Sequence, residues 1–202
     1  FLRNTNGTPA ISDRDPGGRS SLEMRGFGWL FARFLGDRAG PSGASGPPGG
    51  SAEHRLFRAL SRGGDERATG VDNVLRAART VSPGGSWSWE GLMADFGIAL
   101  AADGDSLSPS PDRRFRTWDL RDVFAGLNRN LPGDFREAYP LRRHPLDFRS
   151  TAVAFDLRAS TAAYVRLAAD SASPAYAIAV ESPDGSGLPG AARPQVLLFR
   201  AR

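Results

Sequence analysis

Only two imidazoles, His54 and His144, are available as metal ligands or general bases. His54 opens the stretch HRLFR (54–58), without the glutamate and second histidine that a zinc-binding helix carries one turn apart. His144 sits between two arginines and a proline, in what reads as a loop. Both are expected to be surface or capping residues rather than catalytic ones. Asp103 and Asp105, with Ser106 and Ser108, form an oxygen-rich run, DGDSLSPSP (103–111). A calcium loop would need an acidic or amide residue where Leu107 stands and glycine where Ser108 stands, so the run reads as a solvated, helix-ending loop. Glu90 and Asp95 are five residues apart, a spacing that turns two carboxylates away from each other on a helix. No Gly-x-Ser-x-Gly elbow occurs, and the glycine-rich stretch lacks the Lys-Ser/Thr ending of a phosphate loop. Trp87, Trp89 and Trp118 could stack on a ligand ring. Trp89, however, falls on an apolar stripe, and the other two lie at helix entries, where an indole usually seals a loop against the core. The expectation is therefore no catalytic residue, no metal site and no cofactor.

What remains is arginine. All 26 basic residues are arginine, against 22 acidic residues and a formal charge of +4. Glutamine occurs only at Gln195 and isoleucine only at positions 11, 98 and 178, a skew typical of a GC-rich genome. The densest basic segment, 113–149, also carries Asp112 at its edge and Asp119, Asp122, Asp134, Glu137 and Asp147 within it. A nucleic-acid binder concentrates its positive charge on one face, so this interspersion argues against nucleic acid. Arginine pairs bidentately with carboxylates or phosphates, and the arginines expected to meet a protein partner are Arg3, Arg14, Arg19, Arg113, Arg114, Arg116, Arg142 and Arg143.

The chain has no cysteine, which excludes a disulfide framework and a thiolate metal cage. Its longest apolar run, Phe96 to Ala102, lies between two aspartates and falls far short of the roughly 20 residues that span a bilayer. The start at Phe1, without a charged and then apolar leader, suggests a processed product or part of something longer.

An α+β fold is expected: a helical subdomain followed by a small antiparallel β-sheet or half-sandwich. Residues 1–20 read as an extended polar arm, because Arg3 to Ser20 has almost no large apolar side chain. Such an arm would become ordered against a partner. Residues 21–148 read as helical. Phe27, Leu30, Phe31, Phe34 and Leu35 share one helical stripe, in which Gly26 and Gly28 suggest close approach of another backbone. A spacer at 39–52 (AGPSGASGPPGGSA) would reach about 20 Å as a flexible coil. Short helices follow through Leu56, Phe57 and Leu60, and through Val71, Val74, Leu75 and Ala78. Ser86 or Ser88 can cap a longer one bearing Trp89, Leu92, Met93, Phe96 and Leu100, and Thr117 can cap another through Leu120, Val123, Phe124 and Leu127. Residues 149–202 change to a period of two in four runs: Val153 to Leu157, Ala163 to Leu167, Tyr176 to Val180, and Val196 with Leu198.

The order of segments resembles the region downstream of the zinc site in bacterial hyicolysin-type metallopeptidases of the gluzincin group. The matching stretches are GWLFARFLGD (28–37), GVDNV (70–74), WEGLMADFGIALAAD (89–103) and RTWDLRDVF (116–124), with a β tail from about Ala152. In that family a His-Glu-x-x-His helix and a downstream glutamate polarise a zinc-bound water. Both precede the first matched segment, so no catalytic role is carried over to any residue here. Family members are exported, which implies an extracytoplasmic location, periplasmic or secreted and peripheral to a membrane. The expected function is a non-catalytic structural subunit bound to a larger, membrane-associated complex. A membrane-extrinsic subunit of a bacterial photosynthetic reaction-centre and antenna complex would suit such a chain, although no residue points to that assembly. The alternative is the C-terminal portion of a secreted zinc metallopeptidase whose active site lies upstream.

Overall fold

Five large side chains on one stripe need a partner surface, and the computed structural model gives them one. It describes residues 2–5, 22–40, 51–62, 68–103, 110–147, 152–158, 160–168, 177–190 and 193–198. Helix α1 (Leu22–Ala39) buries Phe27, Leu30, Phe31, Phe34 and Leu35, and it ends at Gly40, whose φ of +143° is a backbone conformation that L side chains rarely adopt. The stripe packs on α4 (Trp89–Ala102), where Phe96 is the hub of an aromatic cluster. Its ring lies 5.3 Å from that of Phe31, 5.5 Å from those of Phe27 and Phe34, and 6.4 Å from that of Phe115. Most of these pairs meet edge to face, the arrangement that aligns the positive rim of one ring with the negative face of the next. Ser88 caps α4 by accepting from the Gly91 N–H at 3.1 Å. Ile98, Ala99, Ala101 and Ala102 are buried as well as Leu92, Phe96 and Leu100, so the second half of this helix is enclosed on nearly every side.

Helices α2 (Ala52–Arg62) and α3 (Gly70–Val81) pack against each other and on α1. Side chains of α3 close the end of α2: Arg76 donates to the Ala59 carbonyl at 2.7 Å and Asn73 to the Leu60 carbonyl at 3.0 Å. Gly28 has open space around it, so the close approach expected near Gly26 and Gly28 is not made at that glycine. The tight glycine of α1 is instead Gly36, approached by side chains rather than backbone: a Cβ there would stand 3.0 Å from the Phe57 ring and 3.1 Å from Glu53 Oε1. Of the spacer 39–52, residues 41–50 lie outside the described residues, but its ends meet: a Cβ on Gly40 would touch that of Ala52 at 3.4 Å.

Helix α5 (Leu120–Asn130) starts later than Thr117 would have it. Asp119 is the cap, accepting from the Asp122 N–H at 3.0 Å, because Thr117 is held elsewhere. At the start of the chain, a short 3-10 turn (Leu2–Asn4) buries Leu2 in the core, and Arg3 donates to the Asp134 carbonyl at 3.2 Å. Residues 6–20 of the expected arm lie outside the described residues.

The sheet differs from expectation in direction and membership. Strands β1 (His144–Asp147) and β2 (Val165–Ala168) pair in parallel, His144 opposite Val165 and Leu146 opposite Leu167. The antiparallel sheet is thus corrected to a two-stranded parallel one. A period of two reveals which side chains share a face, but neither the partner strand nor its direction. Here the partner of 165–168 is a four-residue strand that the reading placed in the helical region. The long excursion between the two is the kind of crossover a parallel pair requires. The runs around Val153, Ile178 and Val196 are without strand pairing among the described residues. Contacts cross the boundary drawn at 148: Trp89 Nε1 donates to Ser160 Oγ at 3.0 Å, and Tyr164 packs on the core.

Candidate functional site

Two buried aspartates organise the polar interior. Asp37, in the last turn of α1, is 1% exposed. Its Oδ1 accepts from Arg33 Nη2 at 3.1 Å and from the Thr117 hydroxyl at 2.7 Å; its Oδ2 accepts from the backbone N–H of Arg116 at 3.0 Å and of Thr117 at 3.3 Å. Arg33 also pairs with Glu53 of α2. The carboxylate therefore ties α1 to the segment leading into α5, which explains why Thr117 does not cap that helix.

Asp103, expected in a solvated loop, is 4% exposed and closes α4; Asp105 lies outside the described residues. Its carboxylate accepts from the Leu120 N–H at the first residue of α5. Burial pushes the Asp103 carboxyl up to about 6, opposed by the backbone N–H of Leu120 and reinforced by the nearby Asp119. Around it, Arg121 donates to the carbonyls of Asp103 and Ala101, Arg143 to the Ala101 carbonyl at 2.7 Å, and the Tyr139 hydroxyl to the Leu100 carbonyl at 2.8 Å. The Ala101 carbonyl at the end of α4 and that of its cap Asp103 thereby meet guanidinium groups, which suit the negative end of the helix dipole, while the Leu100 carbonyl meets a phenol hydroxyl. The Arg121 guanidinium lies 4.4 Å over the Tyr139 ring. Tyr164 places a buried hydroxyl beside Gly97 that has no hydrogen-bond partner among the described residues, and burial pushes its ionisation up.

The arginines expected to meet a partner have varied positions. Arg113 donates to Asp95 at 2.9 Å, alongside Arg38; Arg116 pairs with Asp112 at 3.3 Å; Arg3 and Arg143 reach main-chain carbonyls, as above. Arg114 and Arg142 are exposed, and Arg14 and Arg19 lie outside the described residues. Asp95 thus binds arginines, while Glu90 pairs with Arg193 at 3.0 Å, so the two carboxylates serve different partners as their spacing implied. His54 is exposed on α2. His144 is the first residue of β1 rather than a loop residue, half-buried with its ring 4.9 Å from that of Phe155. Trp87 does seal a loop: its Nε1 donates to the Ser82 carbonyl at 2.9 Å beneath the Arg38 guanidinium. Trp118 meets the ring of Trp29, which is 52% exposed. Beside Trp87 lies a cavity of about 10 Å³ lined by Leu35, Ala39, Leu56, Ala78 and Val81, room for at most one water and with few polar partners for it. Among the described residues no group of three His, Cys, Asp or Glu side chains could hold a metal ion, and no helix is long and apolar enough to cross a membrane.

The surface feature that stands out is in the C-terminal segment. Leu157, Ile178, Val180, Val196, Leu197 and Leu198 are between 42% and 71% exposed, on stretches whose backbone is extended or irregular. Val196, Leu197 and Leu198 are consecutive, so both faces of that stretch are open. The sequence pointed to these runs as strands, and among the described residues they are without strand partners. Comparison of the chain with protein-family models, with curated proteins and with solved structures finds no match.

Proposed function

We propose that this chain is a non-catalytic interaction subunit of a larger extracytoplasmic assembly, joined to it through its C-terminal segment. The observation that carries this reading is the set of exposed aliphatic side chains at 157, 178–180 and 196–198 on backbone without strand pairing among the described residues. Scattered exposed aliphatics are ordinary, but here they fall on stretches whose main-chain N–H and C=O groups are without strand pairing among the described residues. A lipid surface would cover the side chains and strand those polar groups, whereas a protein strand satisfies both needs. The partner is accordingly a protein that adds strands to this segment. Arg114 and Arg142 add charge complementarity, and arginines already held internally contribute less. Salt should therefore weaken the association only modestly.

Hydrogen exchange tests the reading directly, comparing the isolated chain with the same chain in its native assembly. Amides of 177–181 and 193–198 should exchange freely in isolation and become protected in the assembly. Equal exchange in the two states would overturn the reading. Protection that grows with the concentration of the isolated chain would overturn it too, and would make the partner a second copy.

A further inference from the structure

Among the described residues, two that are not glycine have positive φ: Ser160 at +57° and Arg193 at +39°. L side chains reach this left-handed region only at a cost, so each residue needs contacts that hold it there. Both are tied to the same place, the first turn of α4. Ser160 Oγ accepts from Trp89 Nε1 at 3.0 Å, and Arg193 Nη1 donates to Glu90 Oε1 at 3.0 Å. The two anchors differ in strength. Ser160 lies in the turn closed by the Thr161 N–H on the Arg158 carbonyl at 3.2 Å, a setting in which positive φ is usual, and its indole partner packs on the core. Arg193 stands before Pro194, whose ring pushes the preceding residue toward extended backbone, and its side chain is 77% exposed.

We infer that the Glu90–Arg193 pair is a latch, which tethers residues 193–198 to the start of α4 and opens when they pair with a partner's strand. The inference rests on the reading of that segment as the docking surface. Extended backbone is both the conformation that Pro194 favours at Arg193 and the one that strand pairing requires, so docking also relieves the left-handed φ. What opposes the change is the ion pair, and solvent-accessible pairs of this kind favour one geometry by only about 2- to 5-fold. Glu90, in the first turn of α4, keeps the favourable end of the helix dipole once the latch is open, and Arg193 can then meet a carboxylate of the partner. The Ser160 anchor, seated in its turn against Trp89, stays closed.

The chain has no cysteine, so a single spin label at Gln195→Cys reports on the segment. In the isolated chain Glu90→Gln should make the label more mobile, as should about 0.5 M salt. Arg193→Gln should raise the mobility equally, and the double variant no further, because both changes remove the same pair. Equal mobility with and without Glu90 would overturn the latch and leave the docking reading standing. In a second arm, wild type and Glu90→Gln are expressed together in equal amounts and counted in the native assembly by mass spectrometry. The variant has no latch to open and should be enriched about 2- to 5-fold. A ratio of one, or an excess of wild type, would overturn the latch. Absence of both chains from any assembly would overturn the docking reading, and with it the opening step, whatever the mobility shows.

Discussion

Asp37 illustrates how much a single side chain can hold together. It joins the end of α1 to Arg116 and Thr117, 79 and 80 residues further on, and shares Arg33 with Glu53 of α2. Removing it leaves two backbone N–H groups, a hydroxyl and a partly buried guanidinium short of an acceptor at once. Asp37→Ala is expected to cost about 3–5 kcal/mol in urea denaturation, the range for breaking a buried ionic pair by deleting one member. In contrast, His54→Ala should be nearly neutral, because the side chain is exposed and the α2 cap uses the His54 main-chain N–H, donated to Ser51 Oγ. Neither role was legible in residue type. Asp37 and Asp103 look like any other aspartates, and burial depends on segments distant in sequence.

At the scale of elements, α1 and α4 form the core, and their spacing announced them. The stripes at 27–35 and 89–100 satisfy the 3.6-residue period; the first is buried throughout, and in the second Leu92, Phe96 and Leu100 are buried while Trp89 and Met93 pack partly buried against the core. Phe96→Ala should cost about 3–5 kcal/mol, since it empties a site in contact with four other rings. Thermal or urea unfolding measures the loss; a cost near zero would place Phe96 outside the core. The cap of α5 was misread because Thr117 and Asp119 are both good capping residues, and only the competing demand of Asp37 selects between them. The strands were harder still. Alternation at 163–167 identified a face, whereas its partner at 144–147 is too short and too polar to announce itself, with Pro145 in its middle.

Across the whole molecule, the glycine- and proline-rich stretch between α1 and α2 does not separate domains. Its described ends meet, and α2 packs directly on α1 through Gly36, Phe57 and the Arg33–Glu53 pair. Deleting Ser42 to Gly50 should therefore cost far less than Phe96→Ala, and on the order of 1 kcal/mol or below, because closure entropy changes slowly with loop length. Comparable losses in the two variants would mean that the stretch packs against the core. The exposed aliphatics of the C-terminal segment belong to this scale as well: no single one is unusual, and their meaning lies in being gathered on backbone without strand pairing among the described residues.

Composition and periodicity by themselves determined the helical core, a serine cap for α4 at Ser86 or Ser88, the exclusion of disulfides and thiolate metal cages, and the separate fates of Glu90 and Asp95. Each of these depends on residue type or on spacings within a few turns of helix. Tertiary structure alone decided that β1 and β2 run parallel, that four of the six described candidate arginines have intramolecular partners, and that Asp103 is buried against α5. The physical reason is common to all three. Strand direction, the partners of Arg3, Arg113 and Arg143 and the desolvation of Asp103 are set by groups 17 or more residues away, which no local pattern can register until the chain has closed around them; the Arg116–Asp112 pair, four residues apart, is local.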